Sequence, residues 1–217
     1  SLQTYNNFEV VHIDGNSDDK TINYANKFKK TLNIRSNNVK IRNVGFQRNE
    51  GVKLANGQWV VFMDADNRLN QNFLQELKNN ISKNHNLNLF TTLTSIKENI
   101  ILEKWANFWL LIHNNFKKKA AYGAMIGVKK DLALKYPFDR KQKIMEDVIF
   151  VQKIVDAGYK FVILKKPRYS VSLRRIKSKG FFKNAKSMIK VAYSYYIKGN
   201  DFRENDFGHK MDGDYSN

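Results

Sequence analysis

The chain has 217 residues, 42% hydrophobic and 13% aromatic, which is enough for a substantial packed core and excludes a largely disordered chain. Lys and Arg number 38 against 20 acids; the net charge of +18 points to a polyanionic partner, whether nucleic acid, an anionic membrane face or phosphorylated small molecules. Cysteine is absent, which removes disulfide, thiolate-metal and thiol redox chemistry, and no apolar run approaches the ~18 residues that span a bilayer.

Strands and helices are expected in alternation. Glu9–Ile13 is a short apolar run that stops at the turn cluster Asp14-Gly15-Asn16-Ser17. A helix is predicted from Thr21 to Thr31 and a short strand at Val39–Ile41. Gln47–Ala55 has helical spacing and ends at Asn56-Gly57, a good C-terminal stop. Gln58–Met63 reads as a buried strand. Gln71–Lys83 is amphipathic, with Phe73, Leu74, Leu77 and Ile81 on one face. A strand at Leu87–Thr94, an apolar helix at Ile100–Ile112, a strand at Tyr122–Val128, a helix at Glu146–Ala157 and a strand at Phe161–Leu164 follow. The last expected element is a helix over Gly180–Ile197, before a polar tail. Such alternation implies an α/β domain with a largely parallel sheet, whose ligands bind at the carboxyl ends of the strands.

Two strands end on acids: Ile13-Asp14 and Met63-Asp64-Ala65-Asp66. Residues i and i+2 of an extended segment point the same way, so Asp64 and Asp66 can approach one ion. Their oxygens suit Mg2+ or Mn2+, which commonly takes one or two protein carboxylates beside substrate phosphates. The alternative for this pair is structural, with Asp66-Asn67 opening a turn and capping the helix near Gln71. Glu146-Asp147 likewise has two readings. Acids in a first helical turn complement the macrodipole, and the same position presents a carboxylate well. His12, in mid-strand, reads as a packed core histidine.

Arg48-Asn49-Glu50-Gly51, then Ala55-Asn56-Gly57, a strand and Asp64-Ala65-Asp66 resemble the nucleotide-sugar signature of family-2 inverting glycosyltransferases, which have the GT-A fold. Glu9 to Thr21 is similar to that family's second strand and the loop after it. Met145-Glu146-Asp147, with Ala157-Gly158-Tyr159, resembles its Glu-Asp motif, and Ser172-Leu173-Arg174-Arg175 resembles a basic segment found after the catalytic core. The resemblance runs from Ser1 to about Lys190. It implies a Rossmann-like, mostly parallel sheet flanked by helices and an enzyme that moves a sugar from a nucleotide-sugar, with UDP the first candidate, to an acceptor hydroxyl. Asp14, Arg48, Asp64, Arg174 and Arg175 are then expected at the nucleotide-sugar, Asp66 and Asp64 at Mg2+ or Mn2+, and Asp147 as catalytic base. Glu146 and Gly123 are expected to support the acceptor side. Many members carry a second acid where this chain has Gly15. The family's opening strand and helix find no match, and Ser1–Tyr5 aligns with the end of that helix, so about 20–30 residues are expected to be missing.

The expected organisation is a transferase domain over residues 1–175, a basic amphipathic helix over 176–199 and a polar tail over 200–217. From Ala157 to Asn200 there are twelve Lys and Arg and no acid. The Gly180–Ile197 segment sets Phe181, Ile189 and Tyr196 against Lys183, Lys186 and Lys190, which suits either an anionic membrane or the chain's own domain. The expected partners are therefore a nucleotide-sugar donor, a glycan or lipid-linked acceptor and an anionic membrane surface, with no nucleic acid, at a cytoplasmic location peripheral to the membrane. The alternatives are a non-enzymatic basic domain that binds nucleic acid, favoured by charge but opposed by acids at strand exits, and an inactive scaffold in a glycan assembly complex.

Overall fold

The computed structural model describes residues 2–17, 21–115, 118–142, 144–171, 191 and 193–195. Leu2–Glu9 is irregular rather than the end of a helix. Gln3 ties this segment to another helix, its side chain accepting from the Leu74 amide at 3.0 Å.

Strand β1 (Val10–Asp14) is followed by α1 (Thr21–Lys27), a 3₁₀ turn (Phe28–Lys30) and β2 (Ile34–Asn38). β1 and β2 form a parallel pair, with Val10 opposite Ile34 and Asp14 opposite Asn38. The second strand thus lies before the Val39–Ile41 position expected for it. Ile34-Arg-Ser-Asn-Asn has no apolar run to announce it; its backbone ladder with β1 makes it a strand.

Helix α2 (Val44–Leu54) returns to β3 (Trp59–Met63). Its N-cap is Asn43, whose side chain accepts from the Phe46 amide. Then come α3 (Phe73–Lys83), β4 (Leu89–Ser95), α4 (Ile100–His113), β5 (Met125–Lys129), α5 (Lys130–Lys135), α6 (Glu146–Asp156) and β6 (Phe161–Ser170). α5 was not expected, because six residues carry too short a period to read. β6 runs six residues past its expected end. It is an edge strand, where Pro167 is tolerated, and its pairing with β4 skips register between Thr92 and Thr94.

The second sheet has the order β3-β5-β4-β6. β3, β4 and β6 run the same way and β5 alone is reversed. The chain is therefore a mixed α/β protein with a mostly parallel central sheet flanked by helices. Side chains alternate between two cores. Phe62, Leu89, Ile126 and Val128 face α2, α5 and α6, where Phe138 and Phe150 stack at 4.0 Å and Phe62 meets both edge-on. Phe90 and Met125 face Phe73 and Leu77 of α3. Gly127 is required by this packing, since a Cβ there would enter the Phe90 ring.

The expected helix over Gly180–Ile197 lies mostly outside the described residues. Val191 and Tyr193–Tyr195 are helical, and Val191 is buried with Ile144.

Candidate active site

The site forms where α2, the carboxyl end of β3, the segment before β5 and the start of α6 meet. Its centre is Arg48, which α2 presents with 13% of its side chain exposed. One Arg48 nitrogen donates to Glu146 Oε1 at 3.1 Å. The other donates to the Gly123 carbonyl at 3.0 Å and lies 3.7 Å from Asp64 Oδ1. The guanidinium also sits over the Phe138 ring, 5.2 Å from its centroid. A planar cation with a fork of donors is suited to hold several acceptors at once.

Gly123 joins this cation to the Glu-Asp pair. Its amide donates to Asp147 Oδ2 at 2.7 Å, while Asp147 Oδ1 accepts from the Val148 amide at 2.8 Å. A Cβ at residue 123 would lie 3.0 Å from both Arg48 Nη2 and Asp147 Oδ2. The preceding Met145 adopts a left-handed conformation, φ 62° and ψ 19°, which turns the chain so that α6 begins with Glu146 and Asp147. A non-glycine residue there is costly and persists only where its surroundings enforce it. Burial first, and the negative charge of Glu146 second, push the Asp147 carboxyl up to about 7, against the opposing pull of Arg48 and the Val148 and Gly123 amides. Nearby, burial pushes the Tyr122 phenol up to about 12. Tyr169 is fully buried and also raised, by burial first and then by Tyr122 and Asp64.

Asp64 and Asp66 leave β3 in a turn, closed by the Asn67 amide on the Asp64 carbonyl at 3.1 Å. The Asn67 side chain donates to the Ala124 carbonyl at 2.5 Å, pinning this turn beside Gly123. Arg68 and Ser170 exchange backbone hydrogen bonds of 2.9 and 2.8 Å, so the end of β6 is fixed to the same turn. Both carboxylates are exposed, and Asp66 makes no hydrogen bond or ion pair among the described residues. Two open, hard oxygen donors fit a divalent cation that completes its shell with phosphate and water. No three His, Cys, Asp or Glu side chains converge on a point among the described residues.

Asp14 is 4% exposed and closes its own turn, its two oxygens accepting from the Ser17 hydroxyl at 2.6 Å and the Ser17 amide at 2.8 Å. Among the described residues no hydrogen bond or ion pair joins it to the Arg48 cluster; α2 lies between, with Gln47 donating to the Ile13 carbonyl at 3.4 Å. Arg174 and Arg175 lie outside the described residues. Of the expected residues, then, Arg48, Asp64, Gly123, Glu146 and Asp147 come together, with Asp66 two residues beyond.

Asn49 was missed. It is buried, donates to the Phe138 carbonyl at 2.9 Å and accepts from the Phe138 amide at 2.9 Å, so that α2 anchors the segment leading to Glu146. Its place beside Arg48 in the Arg48-Asn49-Glu50-Gly51 run was the available signal. A concavity lined by Asn49, Pro137, Phe138 and Arg140 adjoins this anchor, and another lies between Asn114 and Ile163.

The family profile described as "Glycosyl transferase family 2" matches residues 1–130. The chain is 31% identical over 80 residues to a poly(ribitol-phosphate) beta-N-acetylglucosaminyltransferase, TarS, of Staphylococcus aureus, covering 36% of this chain and 14% of that protein. It is 39% identical over 69 residues to a PGL/p-HBAD biosynthesis glycosyltransferase of Mycobacterium tuberculosis, covering 31% of this chain and 27% of the relative. The aligned stretches are thus well under half of these relatives. Among solved structures, the mannosyltransferase PcManGT of Pyrobaculum calidifontis, in complex with GDP-Man and Mn2+, superposes with a TM-score of 0.67 at 17% identity, over 79% of this chain and 50% of that one. TarS 1-349 with UDP-GlcNAc superposes at 0.61 and 19% identity, over 78% and 51%. The fold expected from the sequence, GT-A, is the fold of these structures.

Proposed function

The chain belongs to glycosyl transferase family 2, and on that premise we propose that it transfers a sugar from a nucleotide-sugar to an acceptor hydroxyl with inversion at the anomeric carbon. The observation that carries this is the bridge through Gly123, whose carbonyl holds Arg48 and whose amide holds Asp147. It sets a cation for the donor and a carboxylate for the acceptor on two sides of one residue.

Asp147 accepts the proton of the acceptor hydroxyl as the hydroxyl oxygen attacks the anomeric carbon. Its raised pKa suits it to that task near neutral pH. Attack opposite the departing nucleotide needs no covalent intermediate. Arg48 faces the donor's phosphates and, through Glu146, steadies the start of α6. Asp14 lines the nucleoside pocket, which requires Ser17 to share its carboxylate with the base or ribose. Asp64 and Asp66 hold Mg2+ or Mn2+, which when bound supplies Lewis-acid stabilisation of charge on the diphosphate. The Mn2+ of PcManGT supports that assignment. Arg174 and Arg175, four and five residues past Ser170, add a fork of donors for the same phosphates. UDP is the favoured nucleotide, because TarS binds UDP-GlcNAc. The acceptor is a glycan or lipid-linked alcohol of surface polysaccharide, glycolipid or glycoprotein glycan assembly.

Calorimetric binding of UDP-, GDP- and CMP-sugars, with and without Mn2+, tests the reading. Metal-dependent binding that Asp66→Ala abolishes is expected; binding of DNA with no nucleotide preference would overturn it.

A further inference from the structure

The inward face of α4 carries two hydrogen-bonded polar side chains, Glu103 and Asn107, beside the buried Leu110. Asn107 Oδ1 accepts from the Thr94 amide at 3.0 Å and its amide group donates to the Thr94 carbonyl at 2.9 Å. Glu103 Oε2 accepts from the Ile96 amide at 2.8 Å, and its Oε1 pairs with Arg168 at 2.9 Å. The outward face carries Ile101, 78% exposed, with Trp105, Phe108 and Trp109 about half exposed. These four cover roughly 100° of the helix circumference. The indoles touch edge to face at 5.9 Å. A contiguous exposed apolar face marks an interaction surface.

We propose that this face of α4 inserts into the interfacial layer of an anionic bilayer. Charge selects the occupant. Between Lys97 and Asn115 the exposed acid is Glu98, since Glu103 is turned inward, and the exposed Lys97 and Lys104 accompany the aromatics; Lys118 and Lys119 are half-buried and donate to the Tyr195 and Asn114 carbonyls. A second copy of a chain of net charge +18 would bring like charge to like, whereas an anionic surface attracts it. Tryptophan is the side chain that settles at headgroup level, and an apolar face edged with lysine is the pattern of a helix lying in the membrane plane.

The position of α4 gives the docking a catalytic meaning, which rests on the transferase reading. The Ala106 carbonyl accepts from the Tyr122 hydroxyl at 3.1 Å, and the next residue is Gly123. The lipid-facing helix therefore backs onto the residue that Arg48 and Asp147 hold, and an acceptor presented on a lipid reaches the cleft without leaving the surface.

Two of the three tryptophans lie on this face, and the third, Trp59, packs against Phe90 in the core. Brominated phosphatidylcholine therefore reports on α4 in the unaltered chain. With vesicles holding phosphatidylglycerol at low salt, tryptophan emission is expected to fall by roughly half and the chain to float. The Ile101→Ser/Phe108→Ser variant is expected to lose at least tenfold in vesicle binding while nucleotide-sugar binding stays unchanged. Absence of quenching in the unaltered chain would overturn the proposal, as would a variant that floats equally well. A dimer by light scattering that the double variant splits would also overturn it, by assigning the face to a second copy. Quenching without nucleotide-sugar binding would leave the docking standing and remove the lipid-linked acceptor along with the transferase reading.

Discussion

Arg48 and Asp147 grip the two polar ends of one residue: the guanidinium takes the Gly123 carbonyl at 3.0 Å and the carboxylate takes the Gly123 amide at 2.7 Å. Residues 75 and 24 positions away in sequence from that glycine are thereby held in fixed relation. Gly123→Ala places a methyl 3.0 Å from both groups. Overpacking of this kind costs roughly 1–3 kcal/mol. The expected outcome is a small loss of stability by urea denaturation and a loss of turnover of roughly tenfold or more, since a small misplacement of a reacting group is expensive. Unchanged turnover would remove the bridge from the mechanism.

Activity should rise with pH. Asp147 serves as a base only when ionised, and burial holds its carboxyl protonated until about pH 7. Initial rates under subsaturating acceptor are therefore expected to increase through about pH 7 and level off above it. Asp147→Asn should lower turnover by roughly 10²- to 10⁴-fold, the usual contribution of a general base, and leave donor binding in place. A flat profile between pH 5 and pH 9 would remove Asp147 from that role.

Arg48 is structural as well as functional. Arg48→Ala strands Glu146, whose side chain is 16% exposed, beside the raised Asp147. Breaking an enclosed pair from one side costs roughly 3 kcal/mol. Denaturation should show that loss, and Arg48→Lys should recover part of it by restoring charge without the fork.

Asp66→Ala separates metal binding from stability. The residue is exposed and without protein partners among the described residues. Its removal should change stability by less than ~0.5 kcal/mol, while the Mn2+-dependent part of nucleotide-sugar affinity disappears. An equal affinity with and without Mn2+ in the unaltered chain would move the metal assignment elsewhere.

The strands and helices that show a strong apolar period were legible in the sequence: α3, β3 and α6 lie within two residues of their expected bounds. β2 was not, because Ile34-Arg-Ser-Asn-Asn is defined by a ladder with a strand over twenty residues away. The acids were legible as strand exits and a helix start. What holds them was only partly so. Gly123 was expected to support the acceptor side, but its two-way bridge depends on three segments meeting, and Asn49 reads as an ordinary helical residue until Phe138 is placed against it. The apolar character of α4 was visible too. The outward turn of Ile101, Trp105, Phe108 and Trp109 was not, since periodicity shows that a stripe exists without saying which side faces the core.

Among the described residues, β1-β2 is tied by side chains to the corner that joins α2 to β3: Glu9 accepts from the Asn56 and Gly57 amides, and Arg35 donates to the Leu54 carbonyl. Asp14, at the end of β1, and Asp64, just past the end of β3, are therefore referenced to one short stretch of backbone. Glu9→Ala should loosen that reference and weaken nucleotide-sugar binding while the Arg48, Glu146 and Asp147 contacts persist.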